Sequence, residues 1–133
     1  MSKVALDTNI LIYAYDKQDL HKREIARELL ISSAVVSAQT VSEYINVLKR
    51  LTAQPKDMII DLCIESLANC TIQPINKSTL LLAKHIIHRY DLQIFDSIIV
   101  ASALEADCKI LYSEDMRNDM EIEAQLTIIN PFL

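Results

Sequence analysis

The chain is 133 residues long, 51% hydrophobic and 23% charged, the balance of one soluble globular domain and not of a disordered segment. It holds no glycine, so no P-loop, GxGxxG fingerprint, GxSxG elbow or EF-hand loop can be written in it; any phosphate must be met by side chains and metal. Eighteen acidic against thirteen basic residues leave a formal net charge of −5, unlike a protein that grips nucleic acid by charge, yet compatible with acids that hold divalent cations.

Short apolar runs alternate with helical periods along the chain. Val4-Ala5-Leu6 reads as a first strand ending at Asp7, with a short helix over Ile10–Tyr15 behind it. His21–Ser32 is amphipathic, with Ile25, Leu29 and Leu30 as its apolar side. Ala34–Ser37 is a second strand, and Thr40–Leu51 a helix striped by Val41, Tyr44, Ile45, Leu48 and Leu51. Pro55 suits the first turn of a helix reaching Ala68, where Asn69 stands in for a left-handed C-terminal glycine. Thr71–Pro74 is a brief third strand. Ser78–Tyr90 is a helix with Leu81, Leu82, Ile86 and Ile87 inward, and Phe95–Ala106, apolar nearly all round, is the buried central helix. Lys109–Tyr112 and Leu126–Ile129 complete about five strands. The order implies one α/β domain, a mostly parallel sheet flanked by helices in a three-layer sandwich.

Cys63, Cys70 and Cys108 are odd in number and form no CxxC pair, so they read as small buried residues of a reducing compartment. Lys3 is followed only by Val4-Ala5-Leu6 before Asp7, so no signal peptide is expected. The longest uncharged stretch, Leu29–Ser42, is 14 residues with several hydroxyls, too short and polar to span a bilayer. A cytoplasmic home and no membrane partner are expected.

Parallel sheets bind ligands beyond the carboxyl ends of their strands, and acids gather there. Asp7 follows the first strand, Asp115 comes just after the fourth, and Glu43 lies in the first turn of the helix after the second. Asp96 opens the most buried helix, on the stripe of Ile99, Val100 and Ala103. Each acid also has an ordinary reading. Asp7 caps a helix, Asp96 complements a helix dipole, Glu43 faces solvent and Asp115 sits in a turn. Convergence favours chemistry, because four acids at one sheet end repel unless cations join them, and carboxylate-only clusters suit Mg²⁺ or Mn²⁺.

At these residues the chain resembles the PIN-domain ribonucleases, and among them the VapC-type toxins of bacterial toxin–antitoxin pairs. The resemblance covers essentially the whole chain. It rests on Val4-Ala5-Leu6-Asp7-Thr8-Asn9-Ile10-Leu11, Ser42-Glu43, Tyr90-Asp91-Leu92, Phe95-Asp96-Ser97-Ile98-Ile99-Val100-Ala101-Ser102-Ala103, Ile110-Leu111-Tyr112-Ser113-Glu114-Asp115-Met116 and Ile129-Asn130-Pro131-Phe132. It implies a Mg²⁺- or Mn²⁺-dependent endoribonuclease with Asp7, Glu43, Asp96 and Asp115 as metal-site acids. Asn9 and Ser113 fall on polar positions that steady the site. It also implies a cognate antitoxin and a homodimer. Family members often carry glycine after the last acid. Here Arg117-Asn118-Asp119 stands instead, which makes Asp119 a further candidate acid and Asn118 the candidate left-handed residue.

Other groups carry less. His85 and His88, three apart on a helix, lack a third ligand nearby. Lys22, Arg23 and Arg27, with Lys49 and Arg50, are candidates for holding an RNA backbone, although charged helix faces are usually just solvated. Tyr13 and Tyr15 are candidates for stacking a base, with core or rim packing as the alternative. Two rival functions remain open: a non-catalytic PIN-fold scaffold, and a small-molecule phosphohydrolase of haloacid-dehalogenase type. The latter wants a second acid where Asn9 stands.

Overall fold

Short strands and longer helices alternate, and each strand hands the chain to the side chains that define one end of the sheet. The computed structural model describes residues 3–133. The elements run β1 (Val4–Leu6), α1 (Thr8–Tyr15), α2 (Leu20–Leu30), β2 (Val35–Ser37), α3 (Ala38–Thr52), α4 (Lys56–Ser66), β3 (Thr71–Gln73), α5 (Lys77–Tyr90), α6 (Ile94–Glu105), β4 (Ile110–Tyr112), β5 (Met120–Ile122) and β6 (Leu126–Ile129). The sheet order is β3-β2-β1-β4-β6-β5. All neighbours are parallel except the β5–β6 hairpin. From β1 the chain builds outward to one side through β2 and β3, then crosses back to lay β4 on the other. That reversal leaves a crevice at the strand ends.

Alternation along the strands divides the core. Ala5, Val35, Leu111 and Ile128 face a cluster completed by Ile86 of α5 and by Ile99, Val100 and Ala103 of α6. Leu6 and Val36, one residue on, face Ile10 and Leu11 of α1, Tyr44 and Leu48 of α3, and Ile59 and Cys63 of α4. Helices therefore cover both faces, the mostly parallel three-layer sandwich read from the element order.

Several details differ from the expectation. β5 is a sixth strand; its three residues are too few to show a period, and only pairing with β6 defines it. Leu81 is 71% exposed; α5 buries Ile86 as expected, with Ala83 and Thr79 in place of Leu81. α3 begins at Ala38, with the Ser37 side chain accepting from Thr40 N, so Glu43 lies in the second turn and not the first.

The glycine-free chain must also place other residues in the left-handed region. Asn69 and Asn118 are not among them; Ala53, at the C-terminus of α3, and Asp119 are. In the β5–β6 turn, closed by Gln125 N donating to Ile122 O at 3.0 Å, Glu123 and Ala124 both take φ near 50° (53° and 51°). Hairpin turns of this hand strongly prefer Asn-Gly. An L-residue there is strained by about 1–2 kcal/mol, more than the 0.5–1 kcal/mol of backbone entropy that glycine gives up. Ala124→Gly and Ala53→Gly are therefore expected to stabilise the protein, each by roughly 0.5–1 kcal/mol in urea melts. A loss of stability in both would show that these turns carry no strain.

Candidate active site

The first acid is fixed by the end of β1. Asp7 N donates to Tyr112 O at 2.9 Å, so the residue still belongs to the β1–β4 ladder while its side chain caps α1. One carboxylate oxygen accepts from Thr8 N at 2.7 Å. The other accepts from Ser113 Oγ at 2.7 Å and Asn9 Nδ2 at 3.4 Å. Asp7 is only 5% exposed. Burial outweighs these hydrogen bonds and, helped by the Asp96 and Glu43 charges, pushes its pKa up to about 6. The cap reading holds for this residue, and the same carboxylate lines the crevice at the strand ends.

Asn9 joins two acids. Its amide nitrogen also donates to Asp115 Oδ2 at 3.1 Å, and its Oδ1 accepts from Glu114 N at 3.1 Å. Ser113 Oγ in turn accepts from Met116 N at 3.3 Å, which ties the Asp115 turn to the Asp7 carboxylate. Across the crevice, Glu43 accepts from Thr8 Oγ1 at 3.0 Å and from Gln39 Nε2 at 2.8 Å. Asp96, in the first turn of α6, is half-buried. Burial first, then the Asp115 and Glu43 charges, raise its pKa, and among the described residues no side chain donates to it.

Asp7, Glu43, Asp96 and Asp115 thus line one crevice of about 370 Å³ with Thr8, Gln39, Ser42, Asn46, Gln93, Phe95 and Ile99. Among the described residues no three acidic, histidine or cysteine side chains close tightly enough to grip an ion alone. Magnesium keeps several waters and takes one or two carboxylates directly, so acids spaced round an open crevice fit it without a closed cage. The donor set is all oxygen, and two of its acids hold their charge reluctantly, which a cation would reverse.

The remaining sequence candidates fall elsewhere. Asp119 is exposed, accepts from Asn118 Nδ2 at 3.3 Å, and does not line the crevice. Lys22 is bound to Glu114 and lies over the Tyr13 and Phe132 rings. Arg27 Nε donates to Ala14 O at 3.0 Å, and Arg23 and Arg27 line a separate cleft with Tyr15 and Leu51. Lys49 and Arg50 border a notch that shares Asn46 with the acid crevice. Tyr13 packs edge-on against Phe132 and donates to Glu114, the packing alternative. His85 pairs with Glu123 and not with His88 in a metal site. Sequence reasoning missed Gln39 and Thr8, although Gln39 lies four residues before Glu43 and so on the same helix face. It also missed Phe95.

Comparison with known proteins agrees with this geometry. The PIN domain family model matches residues 4–119. No curated protein matches the chain by sequence. Among solved structures, a toxin–antitoxin complex from Klebsiella pneumoniae is similar at TM-score 0.70 and 22% identity, over 98% of each chain. DNA-bound VapBC from Salmonella typhimurium matches at 0.70 and 19%, over 96% of this chain and 97% of that one. The sarcin-ricin-loop-cleaving toxin VapC20 of Mycobacterium tuberculosis matches at 0.66 and 15%, over 85% and 90%. With most of its length matched by the family model, and its acids on the crevice where β1 and β4 end, the chain belongs to the PIN domain family.

Proposed function

We propose that the protein is a Mg²⁺- or Mn²⁺-dependent endoribonuclease, the toxin of a toxin–antitoxin pair. The observation that carries this is the meeting of Asp7, Glu43, Asp96 and Asp115 on one open crevice in a PIN-family chain. The similarity to a sarcin-ricin-loop-cleaving toxin and to two toxin–antitoxin assemblies supports an RNA substrate and a protein inhibitor. A homodimer belongs to the reading too, supported by Ile60, Ile64 and Ile72, which stand 47%, 63% and 50% exposed round one groove.

Asp7 and Asp96 would hold the ion, with Glu43 and Asp115 completing its surroundings. A bound divalent ion supplies an acidified water and neutralises charge on the scissile phosphate. The chain's own residues do the positioning. Thr8 N, Ser113 and Asn9 lock the Asp7 carboxylate in one orientation, and Asn9 keeps Asp115 in step with it. Gln39 and Thr8 aim Glu43 from the opposite wall. Among the described residues no histidine lines the crevice to activate a hydroxyl such as that of Ser42. The open crevice suits an unpaired strand, whose backbone can be laid across it.

The test is cleavage of an end-labelled single-stranded RNA with Mg²⁺, Mn²⁺ or EDTA. Metal-dependent internal cuts leaving 5′-phosphate and 3′-hydroxyl ends are expected. Cleavage in EDTA, or 2′,3′-cyclic phosphate ends, would overturn the metal-dependent hydrolysis. Turnover of a small phosphate ester in place of RNA favours the phosphohydrolase, and turnover of neither favours a binding scaffold.

A further inference from the structure

Among the described residues no cation lines the acid crevice, and the chain as a whole is negative. A phosphodiester strand approaching it meets repulsion first, so the strand must be held from outside the acids. Two features beside the crevice suit that task. We propose that Phe95 is the stacking platform for a base next to the scissile phosphate, while Lys49 and Arg50 hold the phosphates beyond it. The proposal rests on the ribonuclease reading above and assigns where its substrate strand lies.

Phe95 is 62% exposed, and it is the only one of the seven aromatic residues on the open surface. Tyr44 is buried, and Tyr13 and Phe132 pack on each other. Phe95 lines the acid crevice from the first turn of α6, next to Asp96. Its backbone is pinned there: Gln39 Nε2 donates to Phe95 O at 3.2 Å and to Glu43 at 2.8 Å. The backbone that carries the ring is therefore tied to the opposite wall of the site while the ring stays open, as a base-stacking platform requires.

Lys49 and Arg50 complete the path. Both are exposed in the last turn of α3, and among the described residues neither is in an ion pair. Arg50 lies two turns beyond Glu43, about 10 Å along the helix axis. Asn46 links their notch to the crevice. The α2 cations differ: Lys22 is held by Glu114, and Arg23 and Arg27 line a cleft that shares no residue with the acid crevice. The strand thus runs along α3, not α2.

The chain contains no tryptophan, so Phe95→Trp introduces a single reporter at this position. A short single-stranded oligoribonucleotide, titrated in EDTA at low salt, is expected to quench its fluorescence. With Mg²⁺, Phe95→Ala is expected to raise KM by roughly 5- to 100-fold with little change in kcat, while Phe95→Trp restores it. Lys49→Ala/Arg50→Ala should flatten the dependence of log affinity on log salt by about 1.4, the slope of two phosphate contacts on a single strand. An unquenched indole, or wild-type KM in Phe95→Ala while the wild-type protein cuts RNA, would overturn the platform alone. So would a dimer that Phe95→Ala converts to monomer in light scattering, because a second copy would then cover the ring. A wild-type protein that neither binds nor cuts RNA removes the ribonuclease reading and the platform with it.

Discussion

Asp96→Asn is expected to reduce RNA cleavage by a hundredfold or more while the protein stays folded. Outer partners of metal ligands typically contribute about 10- to 100-fold, and a residue that itself holds the ion contributes at least as much. The substitution keeps the shape of a half-buried side chain to which no side chain donates, so little packing is disturbed. It removes a charge from the first turn of α6, which weakens a favourable dipole interaction by about 0.3–1 kcal/mol. Relief from burial and from the Asp115 and Glu43 charges opposes that loss. Initial rates with Mg²⁺, beside a thermal melt, decide the matter. A folded Asp96→Asn protein cutting at near wild-type rate would remove Asp96 from the site. Asp7→Asn should behave alike, and Glu43→Gln and Asp115→Asn should show smaller though still large losses if they chiefly surround the ion.

The parts of this site that the sequence made legible are those set by strand ends. Asp7 follows three apolar residues, and Ser113 to Asp115 follow three more, so parallel pairing of β1 and β4 brings them together. Asn9 is two residues from Asp7 and can reach both it and Asp115. What was hidden depends on tertiary contact. Gln39 is useful only because α3 and α6 face each other across the crevice, so that its amide reaches Glu43 and Phe95 at once. Lys22 looks like a free cation in the sequence, yet Glu114, 92 residues on, occupies it. β5 has no pattern of its own, and Leu81 follows the apolar period of α5 while standing in the open. In the glycine-free loop after Asp115 the left-handed position falls on Asp119, one residue past Asn118. No local rule separates those two, because Asp and Asn both tolerate that conformation.

Removing the metal should make the wild-type protein less stable than its own Asp7→Asn variant at neutral pH. The Asp7 pKa stands near 6 in the folded state against an ordinary 3.8, because burial disfavours the charge. A raised acid pKa stabilises the fold fully below the unfolded value, and that contribution is lost as pH rises through the folded one. For Asp7 the window is therefore about pH 4 to 6. Above it the ionised carboxylate is a burden on the order of 3 kcal/mol, at about 1.4 kcal/mol per pK unit. Asparagine escapes this but loses the charge-assisted bond from Thr8 N, and its amide faces the Asn9 amide, so the net gain is smaller. A rise in melting temperature of about 5 °C in EDTA at pH 7 is expected, the shift that roughly 1 kcal/mol gives a domain of this size. At pH 4 the order should invert, with the wild type melting several degrees higher, because protonating Asp7 returns most of that contribution to the wild type and nothing to the Asn variant. Saturating Mg²⁺ or Mn²⁺ should reverse the order at pH 7, since an ion at about 100 times its Kd adds roughly 2.7 kcal/mol to a protein that binds it only when folded. The Asn variant should gain much less. If Asp7 served only to cap α1, its replacement would be neutral or destabilising at every pH, and metal would move neither curve.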